Sequence, residues 1–240
     1  MAKTVKPFRF KQFTIEQDQC LMKVGTDGVL LGAWADVSGC KKVLDIGTGT
    51  GLIAIMLAQR NLSADIHAVE IDATAATQAQ QNANASPWSK RLEIFTDAIQ
   101  DFQRFTHNQY DLIVSNPPFF SGGTFSDNQN RNNVRHTIKL SHGDLLIAVR
   151  SLLAENGKFC VVLPFIEGLR FEEMAKQYGL HCTKKTEVHP KADKAVERLL
   201  IQFEPTIQAT ETNQLVIQKE ARNDWTDDYI ALTKDFYLKM

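Results

Sequence analysis

Between residues 42 and 163 the chain alternates short apolar, often β-branched runs with longer segments of mixed polarity. Short apolar runs of this kind are typical of buried strands, and the longer segments between them are typical of helices. The pattern predicts strands over residues 42–46, 65–69, 92–95, 110–115 and 158–163. It predicts helices over residues 28–35, 52–59, 73–83, 144–154 and 165–178, with another helical segment near Ile99. Asp27 is the expected N-cap of the first helix.

Two further strands are predicted over residues 182–189 and 198–204, joined by the polar stretch 190–197. A hairpin at this point gives the last strand an antiparallel course. Because strands and helices alternate before it, the expected fold class is α/β, with a seven-stranded, mostly parallel sheet, helices on both faces and an antiparallel last strand.

The chain divides into three predicted parts. Residues 1–26 form an amino-terminal arm that mixes phenylalanines with basic residues, and residues 27–205 form the core. Residues 206–240 form a carboxyl-terminal extension packed on that core, with a short strand over 215–218 and a helix over 227–238.

Composition narrows the function classes. The 27 basic and 28 acidic residues nearly balance, so no global positive field indicates a bulk polyanion binder. The four cysteines are far apart, which predicts reduced structural thiols and no metal site. With no apolar leader and no membrane-spanning run, we expect a cytoplasmic protein; oligomeric state is left open.

A glycine-rich turn follows the first core strand and precedes a helix. Glycines there let the backbone pass close to a ligand, because no side chain intervenes. The spacing of Gly47, Gly49 and Gly51 is GxGxG, so the dinucleotide fingerprint GxGxxG is not met. Asp45, two residues before Gly47, would repel a pyrophosphate and favour the ammonium group of a zwitterionic ligand.

Acidic residues also follow the next two strands. Glu70 is expected to accept hydrogen bonds from both hydroxyls of a ribose, a role that Asp72 could take instead. Asp97 with Ala98 occupies the place where an adenine amino group would be received. All of them lie at carboxyl ends of parallel strands, where open α/β sheets bind ligands. For Asp72 and Asp97, the plain alternatives are helix N-caps or solvated charges.

The fourth core strand ends at Asn116-Pro117-Pro118, followed by Phe119 and Phe120. Consecutive prolines fix the backbone, so the carbonyls near Pro117 point in a determined direction. The Asn116 side-chain oxygen and the Pro117 carbonyl could accept both hydrogens of a conjugated amino group, such as that of adenine, which frees its lone pair. Phe119 would stack on the ring, a contact of about 1–3 kcal/mol.

With these motifs in order, the chain resembles the class I amino-methyltransferases, which have a Rossmann-like fold and use S-adenosyl-L-methionine. Within that group it is most similar to the bacterial tRNA1(Val) adenine-37 N6-methyltransferase family, on the segments 23–34 and 235–240. The resemblance implies that residues 23–27 lie over the cofactor, with Lys23 and Thr26 among its contacts. It also implies that residues 116–119 receive adenosine 37 of the valine tRNA anticodon loop.

Three basic regions are candidate RNA contacts. The insertion 121–139 contributes Arg131, Arg135, His136 and Lys139, of which Arg135 and His136, with Pro118 and Phe120, form the predicted substrate-binding set. The amino-terminal arm is the second region, and its phenylalanines are alternatively core anchors. The third surrounds the late hairpin and comprises Lys184, Lys185, His189, Lys191, Lys194 and Arg198.

Two other functions stay open. One is a glutamine-N5 protein methyltransferase, although those enzymes typically carry Tyr where this chain has Phe119. The other is a non-catalytic cofactor-binding module that binds RNA. A dehydrogenase is disfavoured by the glycine spacing.

Overall fold

The computed structural model describes residues 5–118, 140–221 and 223–240. Ten strands and seven α-helices lie in these ranges, together with one 3-10 helix over Ser89–Arg91. The strands are β1 (Phe8–Arg9), β2 (Thr14–Ile15), β3 (Lys42–Ile46), β4 (Asp65–Glu70), β5 (Leu92–Thr96), β6 (Tyr110–Ser115), β7 (Leu153–Pro164), β8 (His181–Lys191), β9 (Arg198–Glu204) and β10 (Glu211–Gln218). The helices are α1 (Thr26–Trp34), α2 (Leu52–Arg60), α3 (Ala73–Ala85), α4 (Ile99–Phe105), α5 (His142–Leu152), α6 (Phe165–Gln177) and α7 (Asp227–Thr233).

Eight of the strands form one sheet in the order β10-β8-β9-β7-β6-β3-β4-β5. All neighbours pair in parallel except β9, which is antiparallel to both β7 and β8. The predicted α/β class and the antiparallel seventh strand are therefore confirmed. The count of seven was too low, because β10 of the extension pairs with β8 and adds an eighth strand.

Two apolar clusters cover the faces of this sheet. One contains the buried residues of α1 and α2 together with Phe10, Phe13 and Phe236 of the two ends of the chain. The other contains the buried residues of α5 and α6. Phe10 and Phe13 are 4% and 6% exposed, so they are core anchors and not stacking platforms for bases. Burial of large apolar side chains on both faces explains why the strands read as near-continuous apolar runs.

Helices α1 and α2 approach closely enough to require a glycine. A Cβ atom added at Gly32 would lie 2.8 Å from Sδ of Met56, well inside van der Waals contact. Because Gly32 has no side chain, α1 packs directly against Met56 of α2, the helix that begins after the glycine turn. This packing therefore fixes where the first residues of α1 lie relative to that turn.

Several predicted boundaries differ from the structure. Helix α5 ends at Leu152, because β7 already begins at Leu153 and pairs there with Tyr110. Strand β10 begins at Glu211, because backbone pairing with β8 supports a polar edge strand that the hydrophobic pattern missed. Helix α7 ends at Thr233 and not at residue 238, since Tyr237 leaves the helix and pairs with Phe10.

Candidate active site

The register between β3 and β6 brings the two sequence motifs together. Ile46 lies opposite Ser115, so the next residue of each strand, Gly47 and Asn116, emerges at the same edge of the sheet. Ser115 reinforces this junction, since its hydroxyl donates to the Ile46 carbonyl at 2.9 Å. The glycine turn and Asn116 both line one cavity of about 920 Å³.

The glycine turn has an open, left-handed backbone. Gly47, Gly49 and Gly51 have φ values of 73°, 57° and 81°, a region that L side chains rarely adopt. The N–H groups of Gly47 and Thr48 donate to the Val69 carbonyl, which fastens the turn to β4. A Cβ atom built at Gly47 or Gly49 would meet no heavy atom within 4 Å. The free space in front of this backbone is where a ligand can approach.

Asp45 lies at the base of the glycine turn. Its side chain is fully buried outside the cavity lining, and its Oδ1 atom has no hydrogen-bond partner among the described residues. Its Oδ2 accepts from the Thr48 hydroxyl at 2.6 Å and from the Ala54 N–H at 3.2 Å. Burial raises the pKa of Asp45 from 3.8 to about 7. Asp45 thus organises the turn from inside.

Glu70 spans the turn and the next helix. One of its carboxylate oxygens accepts from the Gly49 N–H at 2.9 Å and the other from the Asp72 N–H at 3.0 Å. The Asp72 side chain caps α3 by accepting from the Ala75 N–H at 2.8 Å. The plain alternative for Asp72 is therefore what the structure shows, and Glu70 is the better candidate for a ribose.

Asp97 and Ala98 lie where the sequence placed them. Thr96 is opposite Glu70, and the Asp97 N–H donates to the Glu70 carbonyl at 3.1 Å. The Asp97 side chain is exposed, and Ala98 is the N-cap residue of α4 without a side-chain hydrogen bond. Asp97 therefore stays a candidate acceptor for an adenine amino group.

Residues 23–27 line the cavity, with the loop carrying Lys23 held in place. The Lys23 ammonium donates to the carbonyls of Gln17 and Cys20 at 2.5 and 2.6 Å. Thr26 is the first residue of α1 and is exposed at the cavity. The N-cap of α1 is Gly25 and not Asp27, which instead pairs with Arg198 at 2.9 Å. Asp27 therefore links α1 to β9.

Asn116 presents an acceptor that lacks a donor. Its Oδ1 atom is buried and has no hydrogen-bond partner in the part of the chain that the structure describes. A buried polar atom without a partner costs about 1–3 kcal/mol, so such atoms indicate a ligand contact or stored strain. Pro117 is buried and Pro118 is exposed. Phe119, Phe120, Arg131, Arg135, His136 and Lys139 lie outside the described residues.

The hairpin cluster of basic residues is largely engaged within the protein. Lys185 pairs with Glu172 at 3.0 Å, and the Lys191 ammonium donates to the Glu220 carbonyl at 2.6 Å. Lys194 pairs with Asp193 at 3.4 Å, and Arg198 pairs with Asp27. Lys184 lies 5.4 Å from the centre of the Trp34 ring. These contacts make the hairpin a weaker candidate for RNA phosphates than the sequence suggested.

The sequence missed one wall of the cavity. Beyond Asn116 the cavity continues to residues of both ends of the chain, among them Phe8, Trp225, Tyr237 and Lys239. The alternation of basic and aromatic residues in the arm was a signal for part of this wall. Nothing in the local pattern of residues 225–239 showed that they lie beside the glycine turn.

Comparison with known proteins identifies the family. The methyltransferase small domain model matches residues 28–164, which include both motifs of the cavity. The chain belongs to the methyltransferase small domain family. The chain is also 47% identical over 234 residues to the tRNA1(Val) (adenine(37)-N6)-methyltransferase of Trichodesmium erythraeum, covering 97% of this chain and 98% of that protein. The protein of the same description from Pasteurella multocida is 47% identical, covering 96% of each chain.

Solved structures agree on the fold of this methyltransferase. A predicted O-methyltransferase of Agrobacterium tumefaciens superposes with a TM-score of 0.69 at 16% identity, covering 88% of this chain and 96% of that one. A putative RNA methyltransferase of Pyrococcus horikoshii superposes with a TM-score of 0.51 at 19% identity, covering 75% and 81%. At these identities the likeness establishes the class I methyltransferase fold alone.

S-adenosylmethionine, the cofactor of this methyltransferase family, fits the residues present. The space in front of Gly47 and Gly49 accepts a ligand against bare backbone, and the Glu70 carboxylate stands beside it at the end of β4. The unpartnered Asn116 oxygen adjoins the same turn.

No cluster of three metal-ligating side chains occurs in residues 5–118, 140–221 and 223–240. Within those same ranges, no helix is long and apolar enough to cross a membrane.

Proposed function

We propose that this enzyme transfers a methyl group from S-adenosylmethionine to N6 of an adenosine in tRNA, and that this adenosine is position 37 of valine tRNA. The names of the relatives that match nearly the whole chain support the substrate. The unpartnered Oδ1 of Asn116, in register with the glycine turn, is the observation that carries the chemistry.

Asn116 and the residue after it act on the target amine. The Asn116 Oδ1 accepts a hydrogen bond from one N–H of the amine, and the Pro117 carbonyl accepts from the other. Both bonds favour a pyramidal nitrogen, whose lone pair is no longer delocalised into the ring and points to the cofactor. The buried position of Asn116 Oδ1 strengthens its hydrogen bond, since little water competes for it.

The remaining groups position the reactants. S-adenosylmethionine, when bound, supplies a methyl group on a sulfonium, which is already activated for transfer. The glycine turn, held by Asp45 and Glu70, fixes the backbone against which it binds. The nitrogen gains the methyl group and releases one proton to solvent, so no strong general base is needed. Positioning of this kind supplies most of the acceleration that an activated methyl group requires.

Mapping the methylated nucleoside tests this proposal. The purified protein is incubated with labelled S-adenosylmethionine and with tRNA from cells that lack the protein. A parallel incubation replaces the tRNA with total protein from the same cells. We expect label in N6-methyladenosine at position 37 of valine tRNA. Label only in protein would favour glutamine methylation and contradict the proposal. Cofactor and RNA binding without any transfer would favour the non-catalytic module.

Since tRNA is a cytoplasmic substrate, the proposal retains the expected cytoplasmic localisation.

A further inference from the structure

The cavity extends well past the groups that the methyl transfer uses. We call its distal part the outer lobe, lined by Phe8, Arg9, Trp225, Tyr237 and Lys239. It is continuous with the part lined by Gly49 and Asn116. One ligand can therefore occupy the outer lobe and also place its amino group at Asn116.

The cavity also extends away from the groups expected to hold the cofactor's nucleoside. Glu70 is the last residue of β4 and Asp97 follows β5, to one side of β3 in the sheet. The same cavity reaches Pro190 of β8 and Gln218 of β10, which are at the other side of β3. Asn116, after β6, lies between the two regions. Trp225 of the outer lobe pairs with Gln218 on this second side, away from Glu70 and Asp97.

The two ends of the chain hold the outer lobe in a fixed shape. Phe10 pairs with Tyr237 in an antiparallel bridge, and their rings stack with centroids 5.9 Å apart. The Lys11 N–H donates to the Phe236 carbonyl at 2.8 Å, and its ammonium donates to the Lys234 carbonyl at 2.5 Å. A surface that is already ordered loses little entropy when a ligand binds.

The outer lobe combines free cations with half-buried rings. Arg9 and Lys239 are exposed, and their side chains make no hydrogen bond or ion pair with the described residues, unlike Arg198, which is paired with Asp27. Trp225 and Tyr237 are half-buried, as is Phe8. Cations for phosphates beside rings for bases are the combination that binds single-stranded nucleic acid. Of the acidic side chains of the cavity, Asp27 is paired and Glu197 is exposed.

We propose that the outer lobe binds the unpaired nucleotides next to the target adenosine. Arg9 and Lys239 contact their phosphates, and the rings of Phe8, Trp225 and Tyr237 stack on their bases. This inference rests on the proposed function and adds the RNA-contacting residues to it. Stacking and phosphate contacts read an unpaired loop without requiring a large basic surface, which agrees with the nearly neutral net charge of −1.

Binding of a valine tRNA anticodon stem-loop tests the inference. The double variant Arg9→Ala/Lys239→Ala should raise the Kd for this RNA on the order of ten-fold at moderate salt. The dependence of log K on log salt should become shallower by about 1.4, as expected for two lost contacts to single-stranded phosphates. The Kd for S-adenosylmethionine should stay at the wild-type value. Trp225→Ala should raise the KM for the RNA, and Trp225→Phe, which keeps a ring, should restore it.

A matched control removes the same charge elsewhere. Lys41 and Lys90 are exposed and lie outside the cavity lining, so Lys41→Ala/Lys90→Ala should leave the RNA affinity and the salt slope unchanged. An equal loss of RNA affinity in both double variants, or no loss in either, would overturn the inference. The proposed function would still stand in that case if the wild-type enzyme methylates tRNA. Methylation of protein and not of tRNA by the wild type would overturn both.

Discussion

Arg198 at the start of β9 donates a hydrogen bond from Nε to Oδ2 of Asp27, in the first turn of α1, at 2.9 Å. The two side chains are 30% and 20% exposed, so solvent screens their attraction only in part. Thr26 and Gly28, on either side of Asp27, line the cavity. The pair therefore fixes one wall of this cavity to the sheet.

Loss of this pair should weaken both the fold and cofactor binding. Asp27→Asn keeps the shape of the side chain and removes its charge, so we expect a loss of about 1 kcal/mol in the free energy of unfolding and a few-fold weaker binding of S-adenosylmethionine. Urea unfolding and calorimetry measure the two effects. Asp101→Asn is the control, since Asp101 pairs with Arg104 at the surface with 53% and 69% of the side chains exposed. Equal effects of both substitutions would contradict the role of Asp27.

Alanine substitutions at two glycines should separate the effect of backbone strain from the effect of a lost ligand contact. Gly49 and Gly39 have φ values of 57° and 72°, and an added Cβ meets no atom within 4 Å at either. Alanine in this region costs about 1–2 kcal/mol, so both substitutions should lower stability similarly. Only Gly49→Ala should also weaken cofactor binding, because Gly49 lines the cavity. Titration calorimetry of both variants checks this, and unchanged cofactor affinity in Gly49→Ala would show that the ligand does not approach the turn.

Stability should respond to the buried carboxyl of Asp45. Its pKa is about 7 in the folded protein against 3.8 ordinarily, so between these values the folded state holds a proton that the unfolded state has released. This carboxyl therefore lowers the free energy of unfolding as pH rises from about 4 to about 7, with a slope of at most about 1.4 kcal/mol per unit. Asp45→Asn cannot titrate and should lack this contribution in urea unfolding across that range.

Asp36 provides a control of the opposite sign. Its hydrogen bond with Lys158 lowers the pKa of Asp36 to about 2, so its stabilisation is complete above its ordinary pKa and is lost only as pH falls below that value. The cost of Asp36→Asn should therefore stay constant between about pH 5 and about pH 7. A constant cost of Asp45→Asn over the same interval would contradict the assignment of a raised pKa to Asp45.

The fold could be predicted wherever local pattern and tertiary structure agree. The strands of the core are apolar runs buried on both faces, and their order with the helices gave the α/β class. Strand β10 was only partly predicted, because Glu211–Gln218 begins with four exposed residues that form a strand only through pairing with β8. The end of α7 depends in the same way on a remote contact, that of Tyr237 with Phe10.

The sequence motifs predicted the location of the site more reliably than the roles of its individual residues. The glycine turn and Asn116 lie together because two strands that are distant in sequence are neighbours in the sheet. The roles of Asp45 and Asp72 were not accessible from spacing, since a carboxylate after a strand can face a ligand, cap a helix or hold a turn. Asp27 illustrates the same limit: its partner Arg198 is 171 positions away.

Methyl transfer by Asn116→Ala tests the central claim most directly. Single-turnover transfer to valine tRNA is measured beside the equilibrium binding of S-adenosylmethionine, with Asn84→Ala as a control that removes an exposed amide in α3. The amine-acceptor role of Asn116 predicts a loss of at least about a hundredfold in rate, comparable to removal of one preorganised hydrogen-bonding group elsewhere. Cofactor binding should persist in this variant, and Asn84→Ala should behave as the wild type. A wild-type rate in Asn116→Ala would contradict the mechanism.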